Sequence, residues 1–313
     1  MSVAAVVIGR NEGARLLACL DALGGIDTVI YVDSGSTDGS VAAAQARGAT
    51  VVALDMTQPF TAARARNAGL AAVPDAVEMV QFLDGDCVMQ PGWLATARAF
   101  LDARPDVAVV CGRRRETEPQ ASVYNRLIDA EWDTPVGEAR ACGGDALMRV
   151  ALLRAVGGYR ADLIAGEEPE LCIRLRAAGW KIWRIGAEMT AHDAQITRFA
   201  QWWQRSRRAG HAFAEGAALH GGPPERHWVR ETRRALVFGL ALPVAIVALA
   251  MVAGPWAHVL GLIYPVQVLR LAPRMGLVPA VFNVTGKFAE AQGALGYYLR
   301  RWTGGQRRLI EYK

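Results

Sequence analysis

Apolar and polar positions up to Cys111 alternate in two periods. Val3–Ile8, Thr28–Val32, Thr50–Leu54, Met79–Leu83 and Val107–Cys111 are short apolar runs rich in β-branched residues, which predicts buried strands. Between them lie amphipathic segments. Glu12–Leu23 carries Leu16, Leu17, Leu20 and Leu23 at helical spacing, and Asp38–Arg47, Ala62–Ala72 and Pro91–Ala103 read as further helices. Strands that alternate with helices predict a parallel sheet with crossover helices. From Gly112 to Asp193 the pattern is mixed; its clearest element is a helix over Leu171–Ala178, stopped by Gly179.

Polar loops follow three of the strands: Arg10-Asn11-Glu12, Asp33-Ser34-Gly35 and Asp84-Gly85-Asp86. Open α/β sheets bind ligands at the carboxyl ends of their strands, so these loops are expected to line one crevice. Asp84 and Asp86, two positions apart at a strand end, can both face it. Two carboxylates do not bind a diphosphate directly, but they can hold Mg²⁺ or Mn²⁺ that bridges to phosphate oxygens. The bland alternative is an acidic turn. In Asp33–Ser40 small residues allow close approach of a nucleoside, with Asp33 as ligand contact and Asp38 as helix cap. No phosphate-cradling Gly-x-x-x-x-Gly-Lys is present. One arginine of Arg64-Ala65-Arg66-Asn67 suits a diphosphate; a solvated helix face explains it equally. A carboxylate of Glu167-Glu168-Pro169-Glu170 can serve as a general base, or all three can complement a helix dipole. His192 is either a metal or diphosphate ligand or a structural histidine.

The remainder changes character. Arg198–Arg234 is basic and aromatic, with Trp202, Trp203, Arg205, Arg207 and Arg208 flanking an acceptor site, lying at a membrane interface, or packing as core tryptophans beside solvated arginines. Ala235–Ala253 contains no charge, and after Gly254-Pro255 a second apolar run spans Trp256–Leu269. About 20 apolar residues cross a bilayer, so the first run suffices and the second is marginal. Arg230, Arg233 and Arg234 before the pair and Arg270 and Arg274 after it predict a hairpin with both ends in the cytoplasm.

Composition agrees with an enzyme domain joined to a membrane-seeking part: 313 residues, 52% of them hydrophobic. The net charge of +5 says less than its placement, since Arg300, Arg301, Arg307, Arg308 and Lys313 crowd the C-terminus beside an apolar segment. That arrangement suits an anionic membrane surface; no nucleic-acid motif accompanies it, and a nucleic-acid partner is not expected. The five cysteines are scattered and include no C-x-x-C pair, as expected of reduced core thiols. Val3–Ile8 is too short for a signal-peptide core and reads as a strand.

In order, Val6-Val7-Ile8-Gly9-Arg10-Asn11-Glu12, Val32-Asp33-Ser34-Gly35-Ser36-Thr37-Asp38-Gly39, Ala65-Arg66-Asn67-Ala68-Gly69-Leu70, Leu83-Asp84-Gly85-Asp86 and Glu167-Glu168-Pro169-Glu170-Leu171 resemble the family 2 glycosyltransferases, in particular membrane-attached bacterial members that build exopolysaccharides. The resemblance implies a GT-A fold, α/β with a Rossmann-like, mostly parallel sheet, followed here by the C-terminal apolar helical hairpin. It implies a UDP- or GDP-linked sugar donor, inversion at the anomeric carbon, a divalent metal (Mn²⁺ or Mg²⁺), and a glycan or lipid-linked acceptor at the cytoplasmic membrane. It places substrate near Ile8, Arg10, Asn11, Glu12, Asp33, Arg64, Asn67, Asp84, Asp145 and Glu167, metal at Asp86 and His192, and the catalytic base at Glu168. Departures are Ser34 for a second aspartate, Glu168 for an aspartate, and the absence of the Q-x-x-R-W motif of processive synthases, which Gln201-Trp202-Trp203-Gln204-Arg205 only echoes. One sugar per acceptor is expected, and which of Glu167, Glu168 and Glu170 is the base stays open. The expected organisation is a catalytic domain over 1–195, a connector over 196–234, the hairpin over 235–272 and a basic segment over 273–313. Rival readings are a nucleotidyltransferase, whose glycine-rich signature Gly9-Arg10-Asn11-Glu12-Gly13 fits poorly, and a non-catalytic sugar-nucleotide-binding scaffold.

Overall fold

The computed structural model describes residues 2–304 and residue 310. Arg307, Arg308 and Lys313 of the expected basic tail lie outside the described residues. The chain divides into two compact units, Met1–Thr197 and Arg198–Lys313.

The first unit is built on one sheet. Strands β1 (Val3–Gly9), β2 (Thr28–Asp33), β3 (Thr50–Ala53) and β4 (Met79–Asp84) are parallel in the order β3-β2-β1-β4. Helices α1 (Ala14–Asp21), α2 (Ser40–Ala46) and α3 (Ala62–Ala72) make the crossovers. This half follows the expected pattern, because β1, β2 and β4 are mostly apolar and largely buried, while β3 is a partly exposed edge strand. Close packing on β1 depends on Gly69 of α3, where an added Cβ would collide with the Val6 side chain.

Beyond β4 the sheet is mixed, where a mostly parallel one was expected. Strand β8 (Ala146–Arg149) inserts antiparallel between β4 and β6 (Val107–Glu116). Strand β9 (Lys181–His192) is parallel to β6, while β5 (Cys87–Met89) and β7 (Gly137–Ala139) pair antiparallel with β9. These additions are short or carry charges, so they have no apolar-run signature. Strand β6 extends five residues past the expected Cys111 end because Arg113–Glu116 pair with Glu188–His192 of β9. The helices α4 (Trp93–Ala103), α5 (Val123–Trp132), α6 (Val150–Ala155) and α7 (Glu167–Ala177) complete the unit. Helix α7 starts four residues before the expected Leu171, at a left-handed Gly166. Its first turn holds Glu167, Glu168 and Glu170 and its last turn Arg174 and Arg176, the charge order that complements a helix dipole. All five cysteines are buried free thiols, as expected.

The second unit is helical: α8 (Phe199–His220), α9 (Val229–Leu236), a π-helical turn Val237–Ala241, α10 (Leu242–Ala253), a 3₁₀ segment Pro255–Leu262, α11 (Ile263–Met275) and α12 (Leu277–Thr303). Val229–Ala253 forms one 25-residue helical stretch that is long and apolar enough to cross a membrane. The second apolar run is not one continuous α-helix. It begins as the 3₁₀ segment after Gly254-Pro255 and becomes α11 only at Ile263. The expected basic segment over 273–313 instead contains the 27-residue α12. It packs on α8 through glycines: a Cβ on Gly210 would strike the backbone of Glu290, and one on Gly293 the backbone of Arg207. Trp202 is buried with its ring edge-on to Phe282 at 4.9 Å, so the core reading holds for that tryptophan. Trp203 donates through Nε1 to Gln292 at 2.9 Å.

Candidate active site

Strand register assembles the crevice. Gly9 pairs with Asp33 and Ile8 with Asp84, so the three polar loops are neighbours at one sheet end. The Gly85 amide donates to the Ile8 carbonyl at 2.8 Å and the Ser34 amide to Gly9 at 3.0 Å. Gly9 and Gly85 both lie against the Glu12 side chain, whose Cγ would be 3.2 Å from a Cβ at either position.

The centre of the site is Arg66, on the buried face of α3. Its Nη2 donates to Asp84 at 2.9 Å, and its Nη1 lies 2.9 Å from Glu167 and 2.8 Å from Glu168. One guanidinium therefore ties the D-x-D loop after β4 to the first turn of α7. Burial alone would lower its pKa, but the carboxylates of Glu168, Asp84 and Glu167 outweigh burial and hold it firmly charged. Gly144 makes room for this bridge, since a Cβ there would collide with Arg66 and crowd Asp84.

A second arginine, Arg114 of β6, reaches the other Asp84 oxygen at 3.1 Å and Asp145 at 3.4 Å. Its guanidinium sits 4.8 Å over the Trp132 ring. Burial disfavours the Asp84 carboxylate, yet Arg66 and Arg114 hold it below its ordinary range. Asp145 is fully engaged: it accepts from the Asp84 amide at 3.2 Å and from the Thr190 hydroxyl at 2.7 Å.

Glu168 has the opposite character. Burial first, and then the neighbouring Glu167 charge, push its pKa up to about 7, with Arg66 partly offsetting them. Glu170 turns to Arg174, which donates to it at 2.8 Å and 3.0 Å. Of the three glutamates, only Glu167 and Glu168 meet Arg66.

Asp86 and His192 meet on neighbouring strand ends. His192 pairs in register with Cys87, and its Nε2 lies 3.3 Å from Asp86 Oδ1. Asp86, Cys87 and His192 together form a group able to hold a metal ion, with a second such group of Asp84, Cys87 and Asp145 beside it. The first group is the better fit. Asp84 and Asp145 are already neutralised by arginine, whereas the Asp86 carboxylate is a hard ligand suited to Mn²⁺ or Mg²⁺ and His192 adds an imidazole nitrogen. Burial raises the Cys87 thiol pKa well above its ordinary value, which leaves the soft ligand protonated. Trp132 packs edge-on to His192 at 4.8 Å.

Other expected contacts are engaged elsewhere. Asp33 accepts from the Tyr31 hydroxyl and the Gly35 and Ser36 amides, each at 3.0 Å. Asn11 ties its loop to the next one, accepting from the Thr37 amide at 2.7 Å. Glu12 pairs with Arg15 at 2.7 Å. Arg10 is exposed. Arg64 donates to the carbonyls of Asp55, Gln58 and Pro59, so it clamps that loop. Asn67 holds the Tyr159 backbone from both sides, at 2.7 Å and 2.8 Å. Arg66, Arg114 and Trp132 were not among the expected site residues. For Arg66 the signal was present in the motif it shares with Arg64; for Arg114 it was hidden by ending β6 at Cys111.

Residues 4–151 match the model of the glycosyl transferase family 2. Among curated proteins it is similar to the pre-mycofactocin glycosyltransferase of Mycobacterium tuberculosis, at 29% identity in an alignment that covers 70% of this chain and 48% of that protein. The chain thus spans about half the length of the curated relatives it matches. Among solved structures it resembles a Pyrobaculum calidifontis mannosyltransferase in complex with GDP-Man and Mn²⁺, with a TM-score of 0.66 and 21% identity over 95% of this chain and 86% of that one. It also resembles the Mycobacterium tuberculosis glucosyl-3-phosphoglycerate synthase in complex with Mn²⁺, UDP and glucosyl-3-phosphoglycerate, with a TM-score of 0.52 and 20% identity over 71% of this chain and 81% of that one. These likenesses establish the GT-A fold.

Proposed function

We propose that the first unit transfers one sugar from a UDP- or GDP-linked donor to an acceptor hydroxyl, with Glu168 as general base. The observation that carries this is the Arg66 bridge. It holds an ionised Asp84 and a proton-accepting Glu168 on one guanidinium, at 2.9 Å and 2.8 Å. The Glu168 carboxylate takes the proton of the acceptor hydroxyl. The acceptor oxygen bonds to the anomeric carbon as the carbon–oxygen bond to the diphosphate breaks, and the electron pair leaves with the nucleotide. Asp86 and His192 would hold the divalent cation, which supplies charge neutralisation to the departing diphosphate. Asp84, kept ionised by Arg66 and Arg114, offers an acceptor to donor hydroxyls.

The acceptor proposed is a lipid-linked glycan, and the protein is proposed to sit on the cytoplasmic membrane with the catalytic unit in the cytoplasm. The support is the helical stretch Val229–Ala253, whose first turns carry Arg230, Arg233 and Arg234 ahead of the uncharged run Ala235–Ala253. An exopolysaccharide role draws no support from the relatives, whose names concern other acceptors.

The test is nucleotide release by the full chain in detergent, across UDP-, GDP- and dTDP-sugars, with and without Mn²⁺. Metal-dependent release from one donor, reduced about a hundredfold or more in a folded Asp86→Ala variant, is the expected result. Donor binding with no release in the presence of candidate acceptors would replace the enzyme by a sugar-nucleotide-binding protein. An Asp86→Ala chain that no longer folds would make Asp86 structural.

A further inference from the structure

The helical unit contains a cavity of about 390 Å³ whose lining includes Arg234, Arg270 and Lys287 beside Phe238, Ile263 and Leu271. Three cations line it, and no lining residue is acidic. Lys287 is paired with Glu290 at 2.5 Å. Among the described residues, Arg234 and Arg270 have no carboxylate partner. The cavity is built by α9, the π-helical turn, α11 and α12, which puts two uncompensated guanidiniums in a half-apolar pocket.

Its setting selects the ligand. Arg234 is the last charge before the apolar stretch, and Arg270 ends the apolar run of α11. Val244, Val247, Met251 and Val252 of α10 are exposed, as are Trp256, Val259, Leu260, Val266 and Leu269 that follow. So many exposed large apolar residues along α10, the 3₁₀ segment and α11 are out of place in water. A pocket lined by both guanidiniums and apolar side chains, in a unit that also exposes many apolar residues, matches a molecule with a phosphate head and acyl tails. Guanidinium matches phosphate oxygens in pairs, and basic pockets between helices at the headgroup level are suited to anionic lipids.

We propose that this cavity binds the phosphate headgroup of an anionic phospholipid, held by Arg234 and Arg270. The inference rests on the membrane reading above and goes beyond it, since it names a defined lipid site apart from the catalytic residues.

The experiment uses the full chain. Co-sedimentation with phosphatidylcholine vesicles reports the membrane reading by itself. Native mass spectrometry in uncharged detergent then compares retention of phosphatidylglycerol with that of phosphatidylcholine. The expected result is one preferentially held phosphatidylglycerol, weakened about tenfold or more in Arg234→Gln/Arg270→Gln. The preference is kept in Arg233→Gln/Arg274→Gln, which removes as much charge outside the cavity. Equal loss in both double variants, or in neither, overturns the site. Complete displacement of the lipid by inorganic phosphate makes it a free-anion site and overturns it as well. Failure to sediment with any vesicle removes the membrane reading and the lipid site together, whereas failure of the site alone leaves sedimentation intact.

Discussion

Arg66 and Glu168 meet at 2.8 Å, although they are separated by about a hundred residues and belong to different helices, α3 and α7. The pair couples the donor side of the crevice to the proposed base, because the same guanidinium also holds Asp84. Any change at Arg66 is therefore felt in two places.

Arg66→Ala leaves the buried Glu167 and the part-buried Glu168 without their shared cation, while Asp84 keeps Arg114. Removing one partner from a buried ion pair is expected to destabilise by about 3–5 kcal/mol, because the remaining charges are uncompensated. Arg66→Lys keeps the charge but has no fork to span three carboxylates. Urea unfolding is expected to show a large loss for alanine and a smaller one for lysine, with turnover falling in both. An alanine variant as stable as the parent would show that the bridge has no structural weight.

The pH profile follows from Glu168. A base works only when deprotonated, and this carboxyl sits at about 7, so kcat/KM is expected to rise with pH through about 7 and then level off. The neighbouring Glu167 charge is one cause of that elevation. Glu167→Gln removes it, so the rising limb is expected to move to lower pH, while Glu168→Gln abolishes the limb with the activity. A profile that Glu167→Gln leaves in place would dissociate the two glutamates.

Asn67 distinguishes scaffold from ligand. Its amide is occupied on both sides by the Tyr159 backbone. Asn67→Ala is expected to cost about 1–3 kcal/mol of stability, since it orphans buried backbone groups, with the donor KM nearly unchanged. A large rise in KM at unchanged stability would return Asn67 to the donor site.

How much of this was legible in the chain differs element by element. The parallel half was, because β1, β2 and β4 are largely buried and mostly apolar, and the edge strand β3 still carries a short β-branched run. The D-x-D turn and the acidic start of α7 were also readable, since they follow local rules of strand ends and helix dipoles. The insertion of β8 was not. A four-residue strand gains its stability from the neighbours that flank it, and local pattern does not record which neighbours those will be. The long α12 was likewise hidden: its glycines lower helix propensity, yet they allow close packing against α8.

The sequence by itself singled out the candidate residues for chemistry: Asp84, Asp86, Glu168 and His192 were legible from short local segments. Only the tertiary structure decided which charges they face. Arg66 and Arg64 are two positions apart in one helix, about half a turn of rotation, so one is buried against the carboxylates while the other clamps a loop. Arg114 reaches Asp84 because β6 runs on beyond its apolar run. Electrostatic roles depend on distance and burial in space, and those quantities exist only once the strands are in register.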